Sequence, residues 1–261
     1  ELYKMKNAYE IQKTRLPKWL MKEKDILAIW DDHDFGLNDG GRDYPFKEEA
    51  KKMFLNFWNV AEDDPRNYRE GLYFKNIKNV DGVKIEIIAL DTRYFRSKLN
   101  GKKNAYKPNI NPQATILGKE QWDWFQSSIT NSTSKVIIIL SSIQVLATDH
   151  PYEKWANFPL ERSKLIRILS EAAQDKAVIV VSGDRHRSGI YQNNFFIEIT
   201  ASSLNRPGSK FKESDPLLIG ETFPEMNYGI LDIQPLQNRI TLSLHDKKGE
   251  KLNSKIINFF Q

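Results

Sequence analysis

Short apolar runs alternate with segments whose apolar side chains recur at helical spacing, and that alternation sets the expected fold. Residues 26–30, 85–90, 136–140 and 177–181 read as buried strands. Residues 2–16 read as a polar amphipathic helix stopped by Pro17. Ala50, Met53, Phe54, Phe57 and Trp58 mark the apolar face of a second helix over 45–60. Trp122, Phe125 and Ile129 mark a third helix beginning near Gly118, and Leu165, Ile168, Leu169 and Ala172 mark a fourth. After residues 177–181 the pattern changes to strands alone, over 195–200, 228–233, 239–244 and 255–259, with turn-rich sequence such as Asn205-Arg206-Pro207-Gly208 between them. This order predicts a layered α/β fold, and the fully apolar runs predict sheets covered on both faces. No repeat, low-complexity tract or linker interrupts the chain, so residues 1–261 are expected to form one domain.

Composition narrows the picture. The chain has 261 residues, 40% of them hydrophobic, enough to bury a real core and unlike a disordered chain. Its formal net charge of +5 suits an anionic ligand, or simply a solvated basic surface. Without cysteine there are neither disulfides nor thiolate metal ligands. No apolar run approaches the roughly 20 residues of a membrane span. The chain opens at Glu1 and carries no signal segment, which gives the expectation that something upstream has been removed.

Reactive groups in open α/β sheets gather at the carboxyl ends of strands, and three of the expected strands end in dense polar sequence. The run 26–30 continues into Asp31-Asp32-His33-Asp34-Phe35-Gly36-Leu37-Asn38-Asp39. The run 136–140 continues into Ser141-Ser142-Ile143-Gln144, and 177–181 into Ser182-Gly183-Asp184-Arg185-His186. Carboxylates crowded behind a buried strand repel one another, and a divalent cation is the simplest compensation; a solvated turn is the alternative. Carboxylate oxygens with imidazole nitrogens suit Zn, Mn or Fe, and a purely oxygen subset suits Ca or Mg. His33 and His186 belong to these motifs, His150 lies in a loop that either lines the pocket or does not, and His245 alternates with apolar residues in a structural position. Arg93 and Arg96 follow 85–90 and form either an internal ion pair or a phosphate contact; Arg185 is a further phosphate candidate.

Several blocks together resemble the PhoD-like alkaline phosphatases. They are Trp30-Asp31-Asp32-His33-Asp34 continuing to Asn38-Asp39-Gly40-Gly41, Leu90-Asp91-Thr92-Arg93-Tyr94-Phe95-Arg96, Leu117-Gly118 with Gln121-Trp122, and Ser141-Ser142-Ile143-Gln144. Glu153 and Trp155 with Asn157-Phe158-Pro159, and Ser182-Gly183-Asp184-Arg185-His186, complete the set. The resemblance implies a calcineurin-like metallophosphoesterase fold: an α-β-β-α sandwich of two mixed sheets flanked by helices. It also implies a binuclear metal centre of Fe, Zn, Mn or Ca, and hydrolysis of a small phosphate monoester or diester by a two-metal-bound hydroxide. Asp32, Asp184 and His186 are then the expected metal ligands. Asp31 is a further candidate, placed with Asp34 towards the outside of the ligand set.

By the same resemblance His33 is the expected catalytic acid; Arg93 and Arg185 stay the candidates for phosphate contact. The family's earlier motifs, a strand ending in Asp and a Gly-Asp turn, are not found before Asp31. The expectation is therefore a site and a sheet that lack their N-terminal part, with turnover requiring that part. A remnant of the fold that binds metal or phosphate without turnover is the other reading. The resemblance implies export across a membrane and no nucleic-acid partner.

Overall fold

A computed structural model describes residues 2–22 and 25–259. In chain order its principal elements are α1 (Leu2–Arg15), the single turn α2 (Asp32–Phe35), α3 (Lys47–Phe57), β1 (Phe74–Val80), β2 (Val83–Ala89), β3 (Asn100–Lys102) and β4 (Ala105–Lys107). There follow α4 (Gly118–Thr130), β5 (Val136–Ser141), α5 (Pro159–Ala172), β6 (Ala177–Ser182), β7 (Ser188–Gln192), β8 (Ile197–Ala201), β9 (Asn227–Gln234), β10 (Arg239–Asp246) and β11 (Lys251–Ile257).

The six-stranded sheet has the order β1-β2-β5-β6-β8-β7. Its four central strands are parallel and each edge strand is antiparallel to its neighbour. Alternation along the central strands feeds two cores. One set of side chains, including Ile88, Ile137, Ile139, Val178 and Val180, packs with Trp122, Phe125 and Ile129 of α4 and Leu165, Ile168 and Leu169 of α5. The other set, including Ile85, Ile138, Ile179, Ile197 and Ile199, packs with Ile240, Leu242 and Leu244 of β10. Those three belong to a second sheet of order β11-β10-β9, which is antiparallel throughout where the resemblance implied a mixed one. The strands are thus covered on both faces, as their unbroken apolar character requires.

Besides the short β3–β4 pair, two strands escaped the sequence reading. β1 places apolar residues only at every third position, but Asp81 and Gly82, both at positive φ, close a two-residue hairpin from Val80 to Val83. β7 is a short edge strand containing Gly189.

The expected strand at 26–30 is a correction. It has no ladder partner among the described residues and carries no regular secondary structure. Side chains fix this segment instead. Trp30 is buried at one end of a third core with Phe35, Tyr44, Phe54, Leu55, Leu72 and Tyr94, and Ala28 packs on it.

Trp30 also binds the main sheet through Asp91, just beyond β2. Asp91 Oδ1 accepts from Trp30 Nε1 and from the backbone N–H groups of Arg93 and Tyr94, each at 2.9 Å, while Oδ2 accepts from Leu72 N–H at 2.7 Å. Burial pushes this carboxyl up from its ordinary value, and the four donors oppose that shift. Asp91→Ala leaves four buried donors unpaired and is expected to cost about 3–5 kcal/mol in urea unfolding. A loss below about 1 kcal/mol would show that water replaces the carboxylate without penalty.

Candidate metal centre

The loops after β2, β5 and β6 meet the α2 turn at the carboxyl ends of the parallel strands. In that turn Asp34 Oδ2 accepts from Asp31 N–H at 3.3 Å, and Gly36, at φ 116°, ends it. Asp32 is braced by its own loop, accepting from His33 N–H at 2.7 Å and from Asp39 N–H at 3.0 Å. Across from it, Gly183 N–H donates to Ser142 O at 3.1 Å, so the turn after β6 is tied to the end of β5. Asp184 (φ 67°) and His186 (φ 52°) both adopt left-handed backbone, unusual for residues with a side chain and typical of strained functional turns.

The result is a convergence of carboxylates. Oxygens of Asp31, Asp32 and Asp184 all lie within 4.8 Å of one another. A cavity of about 330 Å3 opens beside them, lined also by His33, Asp39, Arg185 and His186. Burial, then the charge of Asp31, holds the Asp184 carboxyl well above the ordinary range, with Arg93 opposing. Burial likewise pushes Asp34 up to about 6, helped by Asp31 and Asp32. Three converging hard oxygen donors, with the Asp184 carboxyl held hard to ionise, fit a divalent cation, which supplies the missing counter-charge.

Arg93 supplies part of that charge from behind. Its side chain is fully buried. Nε and Nη2 donate to Asp31 Oδ1, and Nη1 pairs with the equally buried Glu153. Burial alone would weaken this cation, but Asp31, Glu153, Asp32 and Asp184 outweigh burial and hold it firmly charged. Arg96 Nε lies 2.8 Å from the other Glu153 oxygen, and Arg96 Nη2 donates to Gly40 O at 2.7 Å. Gly41 allows this approach: a Cβ there would sit 2.5 Å from Arg96 O. Of the two alternatives for Arg93 and Arg96, the structure holds both in the internal ion pair.

The other expected residues separate. Asp32, Asp184 and Asp31 come together, whereas His186 lines the same cavity but its ring is not in the carboxylate group. His33 stands at the rim, its side chain 79% exposed and Nε2 4.0 Å from Asp32 Oδ1. Arg185 lines the cavity with its guanidinium over the Tyr152 ring. His150 is buried behind Gln144, its Nε2 3.0 Å from Gln144 Oε1, and does not line the cavity. His245 is held by Ser243 and Gly249 on β10, in the structural position expected. Sequence reasoning singled out neither Arg187 nor Glu213. Arg187 directly follows the marked turn, but Glu213 lies in a polar stretch that nothing in the pattern distinguishes.

The family model of PhoD-like phosphatases matches residues 3–225. Alkaline phosphatase D of Bacillus subtilis (strain 168) is 25% identical over 133 residues, 47% of this chain and 22% of that protein. The solved structure of PhoD superposes with a TM-score of 0.66 at 17% identity, covering 87% of this chain and 54% of that one. Purple acid phosphatase PPD1 from yellow lupin (Lupinus luteus) seeds superposes at 0.55 with 11% identity, covering 87% and 39%. GAP50, the anchor in the inner membrane complex of Plasmodium, superposes at 0.52 with 13% identity, covering 73% and 55%. These superpositions concern the fold, and the chain spans about half the length of the PhoD structure or less of the other relatives except GAP50, where it is 55%.

A carboxyl whose pKa is raised by folding stabilises the fold while protonated, and that contribution is lost as pH rises through the folded value. Without metal, Asp184 therefore destabilises the chain at neutral pH. In chelator at about pH 8, Asp184→Asn is expected to be more stable than the parent by on the order of 1–3 kcal/mol, with the difference shrinking towards about pH 5. Adding Mn should reverse the order, because the parent gains a ligand-bound state and the variant loses a donor. Thermal melts across pH, with and without metal, check both; a variant less stable than the parent in chelator would contradict the repulsion.

Proposed function

Because the chain belongs to the PhoD-like phosphatase family, we propose that it takes part in metal-dependent hydrolysis of small phosphate monoesters or diesters at the Asp31–Asp32–Asp184 cluster. The observation that carries this is the convergence of three carboxylates, of which Asp32 and Asp184 line a cavity together with His33, Arg185 and His186. A metal centre held there, of two ions in this reading, supplies the positive charge that neutralises phosphoryl oxygens and makes a water nucleophilic near neutral pH. Three carboxylates are few donors for two ions. The proposal therefore includes His186 as a donor, together with ligands from sequence beyond residues 1–261. Coverage of 54% of the solved PhoD chain supports that part. Export across a membrane is included on the family resemblance.

The chain's own side chains have distinct tasks. Asp32 stays oriented because two backbone N–H groups hold its carboxylate. Arg93 keeps Asp31 in place and offsets the charge of the cluster without touching the substrate, since it is wholly buried. His33 is exposed at the rim with Nε2 4.0 Å from Asp32 Oδ1, so it is placed to give a proton to a departing alkoxide. Arg185 lines the cavity, where it is placed to meet an anionic group of the ligand.

The test is a panel of phosphomonoesters and phosphodiesters assayed with Mn, Zn, Fe or Ca, on this chain and on a longer protein containing it. Hydrolysis is expected to stop with chelator and in Asp184→Asn. His33→Ala is expected to lower kcat by about 10²–10⁴-fold on esters with poor leaving groups and far less on activated aryl esters. Equal losses across the leaving-group series, with metal content unchanged, would remove His33 from the acid role. A folded, metal-loaded protein that hydrolyses nothing in the panel would leave the binding-only reading in place of hydrolysis.

A further inference from the structure

One end of the cavity is cationic, and the carboxylate cluster does not account for it. Arg185 and Arg187 line the cavity although they are only 7% and 3% exposed, and Lys154 lies behind them at 5%. One buried carboxylate is paired with both guanidiniums. Glu213 Oε1 pairs with Arg185 Nη2 and lies 3.4 Å from Arg187 Nε. The remaining contacts of Arg187 are neutral: the carbonyls of Ser209 and Phe211 and the Thr222 hydroxyl. Among the described residues Lys154 Nζ bonds to the carbonyls of His150 and Tyr152.

Of the other nearby anions, Asp149 and Asp215 act on Lys154, and neither is paired with Arg185 or Arg187 among the described residues. Asp215 is occupied by the N–H groups of Thr148, Asp149 and Leu217, and Asp149 is exposed. The Nε atoms of Arg185 and Arg187 are buried without a hydrogen-bond partner. The excess positive charge is felt next door, where burial, then Arg185, Lys154 and Arg187, depress the His150 pKa to about 2 and keep its ring neutral.

Buried charge without counter-charge is costly, and a bound anion relieves it. Two guanidiniums that line a cavity and share one carboxylate suit the tetrahedral oxygens of a phosphate. We propose that Arg185 and Arg187, backed by Lys154, form an oxyanion subsite for a phosphate group, so that the ligand of this cavity carries two anionic groups, one at the carboxylate end and one at the guanidinium end. The two-group statement rests on the phosphoesterase reading above; the oxyanion subsite itself does not. Glu213 acts here as an internal anion that competes with the ligand for both guanidiniums.

The subsite is tested on the full chain in chelator, by calorimetric titration with inorganic phosphate, with circular dichroism confirming that each variant is folded. Arg185→Gln is expected to weaken phosphate binding about ten- to hundredfold. Glu213→Gln is expected to strengthen it, a gain that loss of a merely structural ion pair does not produce. No phosphate binding by either the parent or Glu213→Gln overturns the subsite and leaves the hydrolysis reading standing, as does binding that neither substitution alters. The two-group ligand is tested with Mn present, comparing a three-carbon diol bisphosphate with its monophosphate. The bisphosphate is expected to bind at least about tenfold more tightly, with the gain lost in Arg185→Gln. No gain for the bisphosphate overturns the two-group ligand and assigns the subsite to free phosphate.

Discussion

A guanidinium sealed from water between two carboxylates is the interaction on which the site depends. Arg93 has no exposed side-chain surface, yet it joins Asp31 on the α2 turn to Glu153 on the loop after β5. Removing one member of such a group strands a charge where water cannot reach it, so the three residues stand or fall together. Through them the segment that carries Asp31 and Asp32 is fixed to the main sheet without any strand pairing. Asp91 and Trp30 make a second tie between the same parts. The carboxylate cluster therefore rests on side-chain bonds for one of its loops and on the sheet ladder for the other.

Charge is arranged in layers around the cavity. Asp31, Asp32 and Asp184 crowd one side, and Arg93 offsets only part of their repulsion, so the Asp184 carboxyl stays hard to ionise. Arg185 and Arg187 crowd the other side, and Glu213 offsets only part of theirs. Each end is thus short of an opposite charge: a cation at one, an anion at the other. A metal ion and a phosphate group are the pair we propose to supply them in this member of the PhoD-like phosphatase family.

Much of this was legible in the sequence because the central strands are read from composition alone. The runs that became β5 and β6 have no other stable use than burial between layers, and the turns after them had to lie at a sheet end. The run 26–30 misled for the same reason: apolar character predicts burial, and burial was met by packing around Trp30 instead of by a ladder. Arg93 was open between two roles because sequence shows a cation near acids but not which face it turns to. Glu213 was invisible. It sits among Lys212, Ser214 and Asp215 with no periodicity, and only the tertiary approach of Arg185 gives it meaning. Likewise, proximity of His186 to Asp184 in sequence did not bring its ring to the cluster, and the two lie in a turn where both backbones are left-handed.

The most direct measurement is a crystal structure of the chain grown with Mn, with diffraction recorded at the Mn absorption edge. The account predicts an anomalous peak bonded by oxygens of Asp31, Asp32 and Asp184, with Arg93 still paired to Glu153. A peak elsewhere on the surface, or none at occupancies that saturate the solution titration, would contradict it.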